Sequence, residues 1–342
     1  MASTYHRLKP RIQPTLLSVV IPVYNEEKMI PILRKVMTHF VHAAPFPVQL
    51  LLVNDGSSDS SMDLLSQWAD DSGWVKVIGL ARNFGHQAAV TAGLDHSTGD
   101  AVVIMDADLQ DPPEAILQMV EQYCLGFDVV VGRRLERQGE NVFKKLSAWA
   151  FYRLMRILVH KDLPADVGDF RLISRRCLNA LNSMRETHRF LRGMGAWVGF
   201  AQTEVVYVRK ARAAGETKYP LHKMFTLAWN AALSFSPVPL RISFLLGLLL
   251  FIVGITQALN AVFRSLVGLP MVAGWASLMI VTCLVGGGIL ISIGVLGEYI
   301  ARIFEEVKGR PLYFVSDTAN LPRTEEDLSL TTDLIRIHQE LR

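Results

Sequence analysis

"AVVIMDADLQDPPE", residues 101–114, joins a short apolar run to two carboxylates. The first five residues are apolar and rich in β-branched side chains, which predicts a buried strand. Asp106 and Asp108 follow where that strand should end, and two prolines then open a helical segment. Open parallel sheets bind their ligands beyond the carboxyl ends of their strands. The stretch therefore predicts an α/β fold with a ligand site above the sheet.

The same alternation of strand and helix runs through the first 134 residues. Strands are predicted at 16–24, 48–55, 75–81, 100–108 and 127–134, and helices at 26–43, 56–71, 86–97 and 112–126. Strands that alternate with helices indicate a mainly parallel sheet covered on both faces. Asp55 and Asp106 then lie at the carboxyl ends of two strands.

Two uncharged stretches, Ile242–Phe263 and Ala276–Gly297, follow in the second half of the chain. Each would form a helix of about 33 Å, enough to cross a bilayer core of roughly 30 Å. A pair of buried core helices is the alternative, but such helices rarely run so long without a charge. The connecting loop holds one basic residue and the outer flanks hold more. The positive-inside rule therefore predicts a multi-pass protein of the cytoplasmic (inner) membrane with both termini in the cytoplasm.

The remaining segments complete a four-part organisation. Residues 1–215 are predicted to form the α/β domain, which includes an amphipathic helix at 142–160 edged by Lys and Arg. That pattern is typical of a helix at the membrane interface, although a helix packed on the soluble core fits it equally well. A second interface helix is predicted within 216–241, the two spans within 242–297, and a cytoplasmic tail at 298–342.

Net charge, cysteine spacing and the N-terminal residues bear on the partners and the location of the protein. The net charge of +3 suits an anionic membrane surface and gives no indication of nucleic-acid binding. The three cysteines are scattered without metal or disulfide spacing, which fits a reducing compartment. The first residues lack an apolar core of the kind that a secretory signal requires.

The acids after the predicted strand have the chemistry of a divalent-cation site. Carboxylate oxygens suit Mg²⁺ or Mn²⁺, and such ions usually also bind substrate phosphates. An isolated Asp-x-Asp occurs often by chance. Its position at a strand end favours a clamp for a metal and a diphosphate.

Several motifs together resemble a known family of enzymes. "SVVIPVYNEE", "VNDGSSD" and "DADLQDPPE" occur in the order and spacing of the inverting glycosyltransferases with a GT-A (Rossmann-like) fold. "VGDFRLISR", "RAAGETKY" and "GVLGEYIARI" resemble the polyisoprenyl-phosphate glycosyltransferases of the dolichol-phosphate mannose synthase type, and within them the bactoprenol (undecaprenyl-phosphate) glucosyltransferases of O-antigen modification. The resemblance covers about residues 16–315. It implies inverting transfer of a hexose, glucose, from UDP-glucose to a polyisoprenyl phosphate at the cytoplasmic membrane face, by a homo-oligomer.

The resemblance also implies roles for individual residues. The metal, Mg²⁺ or Mn²⁺, is assigned to Asp106, Asp108 and Gln110. The nucleotide sugar is assigned to Pro22, Tyr24, Glu26, Asp55, Asp106 and Arg133. The catalytic group is Asp169, with Asp166 close enough to confuse the assignment and Gln110 beside the metal. Asp55 before a glycine is also a common turn-former, and Arg133 also fits a solvated surface position.

The implied acceptor reduces the need for a general base. A hydroxyl acceptor must lose a proton, whereas a lipid phosphate already carries about −1.5 to −2 charge near neutral pH. It needs positioning against the repulsion of the donor diphosphate, so Asp169 would orient the sugar or the acceptor. The basic residues Arg209, Arg212 and Lys218 are the candidates for holding the phosphate. Attraction to lipid headgroups is the alternative role for them.

Three alternatives stay open. The enzyme could transfer another sugar, such as 4-amino-4-deoxy-arabinose, N-acetylglucosamine, galactose or mannose, to the same lipid. It could be a processive polysaccharide synthase, although the Gln-x-x-Arg-Trp motif of those enzymes is missing from the sequence. It could be a non-enzymatic membrane scaffold, which the intact set of acids argues against.

Overall fold

The computed structural model describes residues 8–134, 167–187, 189, 191–208 and 274–321, with isolated positions between 240 and 267. Strands and helices alternate through the first 134 residues as predicted. They are β1 (Leu17–Val23), α1 (Ile30–Ala43), β2 (Val48–Asn54), α2 (Ser61–Asp70), β3 (Val75–Leu80), α3 (His86–His96), β4 (Ala101–Ile104), α4 (Glu114–Cys124) and β5 (Val129–Arg134). β4 is shorter than predicted, so the acids after it lie on a turn.

The later elements carry weaker sequence signals. They are β6 (Val167–Ser174), α5 (Arg175–Ser183), α6 (Leu191–Trp197), β7 (Gln202–Tyr207), α7 (Trp275–Val307) and β8 (Val315–Ala319). β8 comes from the segment predicted to be a cytoplasmic tail, yet it joins the sheet of the α/β domain.

The eight strands form one mixed sheet in the order β7-β5-β6-β4-β1-β2-β3-β8. β1 pairs in parallel with β2 and β4, β2 with β3, and β5 with β7. Only β6 and β8 run against their neighbours among these strands. The predicted mainly parallel sheet is therefore confirmed. The carboxyl ends of β1, β2, β4 and β5 and the start of β6 all lie at one end of the sheet.

The core lies on both faces of the sheet, because every side chain of β1 and β2 is buried. Alternate residues of β1 point to opposite faces. Val19 belongs to a buried cluster that includes side chains of α1, α2 and α4, and Val20 to one that includes side chains of α3, α5 and α6. A strand covered on both sides has no polar face, which explains why these strands read as continuous apolar runs.

α7 is the longest helix of the described residues, with 33 residues. At 1.5 Å per residue it extends about 50 Å, longer than a bilayer core is thick. Within the described residues one helical stretch, Val285–Val307, is long and apolar enough to cross a membrane. Its large side chains are exposed, Leu290 by 71% and Ile293 by 58%. A surface of this kind suits lipid.

The first predicted span is described only at isolated positions, which are helical. It contacts α7 at two small residues of that helix, Gly288 and Ser292. The Ser292 hydroxyl donates to the Ser243 carbonyl oxygen at 3.4 Å, and a Cβ at Gly288 would overlap Leu250. Small residues let membrane helices approach closely. Two complete spans are not confirmed, and the first predicted span, Ile242–Phe263, stays a prediction.

Several predictions fall on residues outside the described ranges. They are the interface helix at 142–160, the helix within 216–241 apart from Leu240, and the candidate site residues Asp166, Arg209, Arg212 and Lys218.

Candidate active site

The turn after β4 carries the acids that the sequence singled out. β4 is hydrogen-bonded to β1, and the pairing continues as the Met105 N–H donates to the Val20 carbonyl at 3.0 Å. The chain then turns through Leu109 at a φ of 53°. The Gln110 N–H donates to Asp108 Oδ1 at 3.1 Å. The turn thus places Asp106, Asp108 and Gln110 together at the carboxyl end of the sheet.

A histidine lies between two carboxylates at this end of the sheet. His86 is the first residue of α3, and its Nε2 is 3.8 Å from Asp106 Oδ1. The same atom is 3.4 Å from Asp169 Oδ2. Asp169 belongs to β6, which pairs with β4 in antiparallel fashion and so brings its first residues to the end of β4. The structure thus unites Asp106 with Asp169 through a residue that the sequence analysis did not select.

An arginine holds the other side of Asp169. Arg192 of α6 donates from Nε to Oδ1 at 2.7 Å and from Nη2 to Oδ2 at 3.0 Å. Burial raises the pKa of Asp169, but the His86 hydrogen bond and the Arg192 charge outweigh it, so that the pKa lies well below its usual range. A carboxylate held so firmly in its ionised form is a weak base. It is better suited to orienting its neighbours.

The pKa values of both neighbours of Asp169 are raised, which favours the neutral form of Asp106 and the charged form of His86. Burial raises the pKa of Asp106 despite the nearby imidazole, and the charges of Asp169, Asp111 and Asp108 raise it further. Partial removal from water lowers the pKa of His86, but the Asp169 hydrogen bond and the two negative charges leave it above its ordinary value. The site therefore concentrates carboxylates that a cation would stabilise.

The donor set fits a metal that binds together with a phosphate group. Among the described residues, no group of three or more His, Cys, Asp and Glu side chains could hold a metal ion. Mg²⁺ is commonly held by one or two carboxylates plus substrate phosphates rather than by a complete protein cage. Asp106 and Asp108 are two such carboxylates on one turn. Their assignment to a metal stays a prediction.

Asp55 latches the loop that carries His86. It is 3% exposed, and its two oxygens accept the N–H groups of Phe84 at 2.8 Å and Gly85 at 3.0 Å. Burial raises the pKa of Asp55, and the two hydrogen bonds oppose that shift. Gly56 adopts a φ of 63°, and a Cβ there would overlap the Arg82 backbone. The Asp-Gly pair is therefore more than a turn signal, because it lets the His86 loop pass against the end of β2.

The loop after β1 is tied to the loop after β2. The Asn25 N–H donates to the Ser57 hydroxyl at 2.9 Å, and the Glu26 N–H donates to the Ser61 hydroxyl at 3.0 Å. Asn25 has a φ of 53°, a left-handed conformation that asparagine tolerates. Tyr24 is 48% exposed beside these loops. Of the residues predicted to bind the nucleotide, Tyr24, Glu26 and Asp55 are thus brought to adjoining loops, and the buried Pro22 lies within β1 below them.

Two further arginines frame the site. Arg133, predicted to approach the phosphates, lies opposite Val167 one residue before the end of β5 and pairs through Nε with Glu204 at 3.1 Å. Arg171 is buried and donates to the carbonyl oxygens of Gly168 at 3.1 Å and Leu191 at 3.3 Å. Burial lowers the pKa of Arg171 to about 10. By joining β6 to α6, Arg171 holds the two elements that carry Asp169 and its arginine.

The sequence analysis missed three residues of this site: His86, Arg171 and Arg192. A signal existed for the first, because a polar residue that follows the carboxyl end of β3 lies at the same end of the sheet as Asp55 and Asp106. The two arginines have no comparable local signal.

Comparison with known proteins supplies the family. Residues 18–181 match the family model described as Glycosyl transferase family 2. Over 300 residues the chain is 38% identical to the bactoprenol glucosyl transferase of Shigella phage SfII, with 87% of this chain and 97% of that protein covered. The chain belongs to glycosyltransferase family 2. Its resemblance to the bactoprenol glucosyltransferases, drawn from the motifs, is confirmed.

Other family 2 relatives match over a similar length. The chain is 43% identical over 298 residues to a protein of Bacillus subtilis (strain 168) named uncharacterized glycosyltransferase YkcC, covering 87% of this chain and 92% of the relative. It is 37% identical over 299 residues to the prophage bactoprenol glucosyl transferase homolog of Escherichia coli (strain K12), covering 87% of this chain and 98% of that relative. The prediction that the protein is a glycosyltransferase with a GT-A fold is therefore confirmed.

Solved structures resemble the chain only distantly. Glucosyl-3-phosphoglycerate synthase from Mycobacterium tuberculosis, in complex with Mn²⁺, uridine diphosphate and phosphoglyceric acid, has a TM-score of 0.44 and 19% identity. The match covers 67% of this chain and 83% of that one.

Proposed function

We propose that this glycosyltransferase moves glucose from UDP-glucose to a polyisoprenyl phosphate, undecaprenyl phosphate, at the cytoplasmic face of the membrane. Relatives named bactoprenol glucosyl transferase, matched over 87% of the chain, support the lipid and the sugar. The proposal depends on one cluster at the carboxyl end of the sheet, where charges of both signs lie together. Its members are Asp106, His86, Asp169 and Arg192.

The donor would lie above β1, β2 and β4. Tyr24 offers an exposed aromatic face to the base, and the latched loop of Asp55 forms the wall beside it. Asp106 and Asp108 would hold Mg²⁺ or Mn²⁺, which would neutralise charge on the departing diphosphate. Gln110 and Arg133 border the same end of the sheet.

Asp169 would act by orientation. Its carboxylate fixes the guanidinium of Arg192 in a bidentate geometry and accepts from His86. Arg192 is 34% exposed and His86 is 42% exposed, so both cationic groups remain accessible to a ligand. A bound phosphate with two negative charges needs such partners and needs no proton removed before it attacks the anomeric carbon. Asp166 lies outside the described residues as an alternative carboxylate.

The acceptor phosphate would be held by the basic segment of Arg209, Arg212 and Lys218. Lys218→Glu should then leave UDP affinity unchanged and reduce transfer to lipid phosphate by far more than the roughly 1 kcal/mol of one surface charge. Calorimetry with UDP and extraction of labelled lipid measure the two effects. Equal loss of both would assign Lys218 to the donor or to the fold.

The membrane part would consist of two spans with both termini in the cytoplasm. The C-terminal end of α7 lies beside the α/β domain, since the Thr187 N–H donates to Glu306 Oε1 at 2.7 Å, and this contact supports a cytoplasmic position for that end. A cysteine at position 268, between the spans, should react with an impermeant thiol reagent from outside the cell. Labelling of a cysteine at either terminus under the same conditions would contradict this topology. The implied homo-oligomer is tested by light scattering of the detergent-solubilised protein.

One experiment tests the reaction itself. Membranes that contain the protein are incubated with undecaprenyl phosphate and one nucleotide sugar at a time. The donors are UDP-glucose, UDP-galactose, UDP-N-acetylglucosamine, UDP-linked 4-amino-4-deoxy-arabinose and GDP-mannose. Mass spectrometry should find a hexosyl phospholipid with UDP-glucose. A product with another sugar alone would replace glucose, and a polymer in place of a single transfer would favour a processive synthase.

A further inference from the structure

The chain that leaves the membrane helix returns to the catalytic sheet. β8 pairs in antiparallel fashion with β3, with Gly79 opposite Asp317. The Ala81 N–H donates to the Phe314 carbonyl oxygen at 2.9 Å, which extends the pairing into the loop after β3. Only seven residues separate the end of α7 at Val307 from Val315 at the start of β8. The chain that leaves α7 therefore reaches the loop before His86 within a few residues.

Phe314 supports the loop that Asp55 latches. Its ring centroid is 6.2 Å from that of Phe84, at an interplanar angle of 51°. The Arg82 guanidinium covers the Phe84 ring at 4.0 Å from its centroid. The Phe84 N–H is one of the two donors to Asp55. The stack therefore lies directly behind the loop that presents His86 to the acids.

Tyr313 contacts the C-terminal end of α3, the helix that begins at His86. Its hydroxyl donates to Asp95 Oδ2 at 2.8 Å, in the last turn of α3. Arg185 donates to both oxygens of Asp95, at 2.9 and 3.0 Å. Burial raises the pKa of Tyr313, so its hydroxyl keeps its proton and remains a donor. Phe314 thus contacts the loop before the first turn of α3, and Tyr313 contacts the last turn of α3.

β8 itself contributes little apolar burial to the fold. Four of its five residues are exposed and the fifth is half-buried. An edge strand of this kind covers the polar edge of β3 but adds little hydrophobic stability. The contacts that reach the site are made by the two residues just before the strand, and not by the strand.

We propose that Tyr313 and Phe314 are positioning residues, which fix α3 and its leading loop so that His86 and the Asp55 latch meet the donor in one geometry. The cytoplasmic end of the membrane helix would thereby set the position of the donor site. This role rests on the proposed donor site above Asp55. A purely structural role for the segment, as a cover for the β3 edge, is the competing explanation.

Variants of the full-length protein separate the two explanations. Phe314→Ala removes the ring stack, Phe314→Tyr restores an aromatic ring, and Tyr313→Phe removes the hydrogen bond to Asp95. Ser316→Ala is the matched control, because the Ser316 hydroxyl donates to the Gly79 carbonyl at 3.2 Å and touches β3 away from the loop. Thermal midpoints, UDP affinity, kcat and KM for UDP-glucose, and amide hydrogen exchange of residues 81–86 are measured for each.

Phe314→Ala should speed exchange of the Phe84 and Gly85 amides at least ten-fold and lower kcat/KM about ten-fold, while its thermal midpoint stays close to that of the Ser316→Ala control. Phe314→Tyr should restore both values, and Tyr313→Phe should give a smaller change of the same kind. Exchange and kcat/KM equal to those of the control would overturn the inference. If the exchange effect is found but the wild type neither binds UDP nor uses UDP-glucose, the proposed donor is wrong and the positioning of the loop stands.

Discussion

The pair of Asp169 and Arg192 provides the sharpest test of how this site works. If Asp169 is a general base, the arginine is a minor support, and Arg192→Gln should retain most of the activity. If Asp169 orients Arg192 and His86, Asp169→Asn and Arg192→Gln should both lose most of the transfer activity. A double-mutant cycle of Asp169→Asn, Arg192→Gln and the double variant decides between these roles.

The structure sets the expected stability changes. Asp169 is 13% exposed and accepts two charge-assisted hydrogen bonds from Arg192. An asparagine keeps one acceptor, so Asp169→Asn loses one such bond, worth about 1.5–3 kcal/mol. Because Arg192 is about one-third exposed, solvent reduces the loss, and we expect about 2 kcal/mol. For a domain of this size that corresponds to a fall of about 4–8 °C in the thermal midpoint.

Activity is the deciding measurement. Each single variant should lose about 100-fold or more in transfer of labelled glucose to lipid phosphate, because loss of an oriented charged group costs on the order of 3 kcal/mol. The double variant should lose no more than the worse single one, as expected for residues that act as a unit. Transfer by Arg192→Gln within two-fold of wild type, beside an inactive Asp169→Asn, would refute the orienting role and favour a base.

Three further predictions follow from the same site. Asp108→Asn should keep the thermal midpoint and lose transfer about 100-fold or more, on the order of 3 kcal/mol, because one anionic ligand of the proposed metal is removed. Substantial Mg²⁺-dependent activity would contradict the assignment. Gly56→Ala should destabilise by about 3 kcal/mol or more because of its left-handed backbone and the overlap with Arg82, whereas Gly73→Ala, with open space around it, is the matched control in the same thermal melt. The raised pKa of His86 means that its contribution to stability is complete below about pH 6.5 and is lost as pH rises through its folded-state pKa. The difference in thermal midpoint between wild type and His86→Gln, measured with chelator, should therefore shrink from pH 6 to pH 9, and a constant difference would contradict the contacts with the two acids.

The first half of the fold could be predicted because its signals are local. β1 and β2 are buried on both faces, and a strand without a polar side must be continuously apolar. Asp55 and Asp106 could be placed together for the same reason, since parallel strands bring their carboxyl ends to one end of the sheet. The helix in the uncharged part of α7 could also be predicted, because an apolar run of that length is typical of a membrane-spanning helix.

The rest depends on contacts between distant parts of the chain. β6 inserts between β4 and β5 against their direction, and only that register brings Asp169 to the end of β4 beside His86. Arg192 reaches Asp169 because the buried Arg171 ties α6 to β6. β8 has mostly exposed residues, so its sequence shows no alternation of apolar and polar residues that would predict a strand. The sequence by itself determined the strands and helices of the first 134 residues and the acids that follow β2 and β4, because each follows from local periodicity or from a strand end. Only the tertiary structure decided which charged groups meet, because such pairing depends on strand register and helix placement that local sequence does not encode.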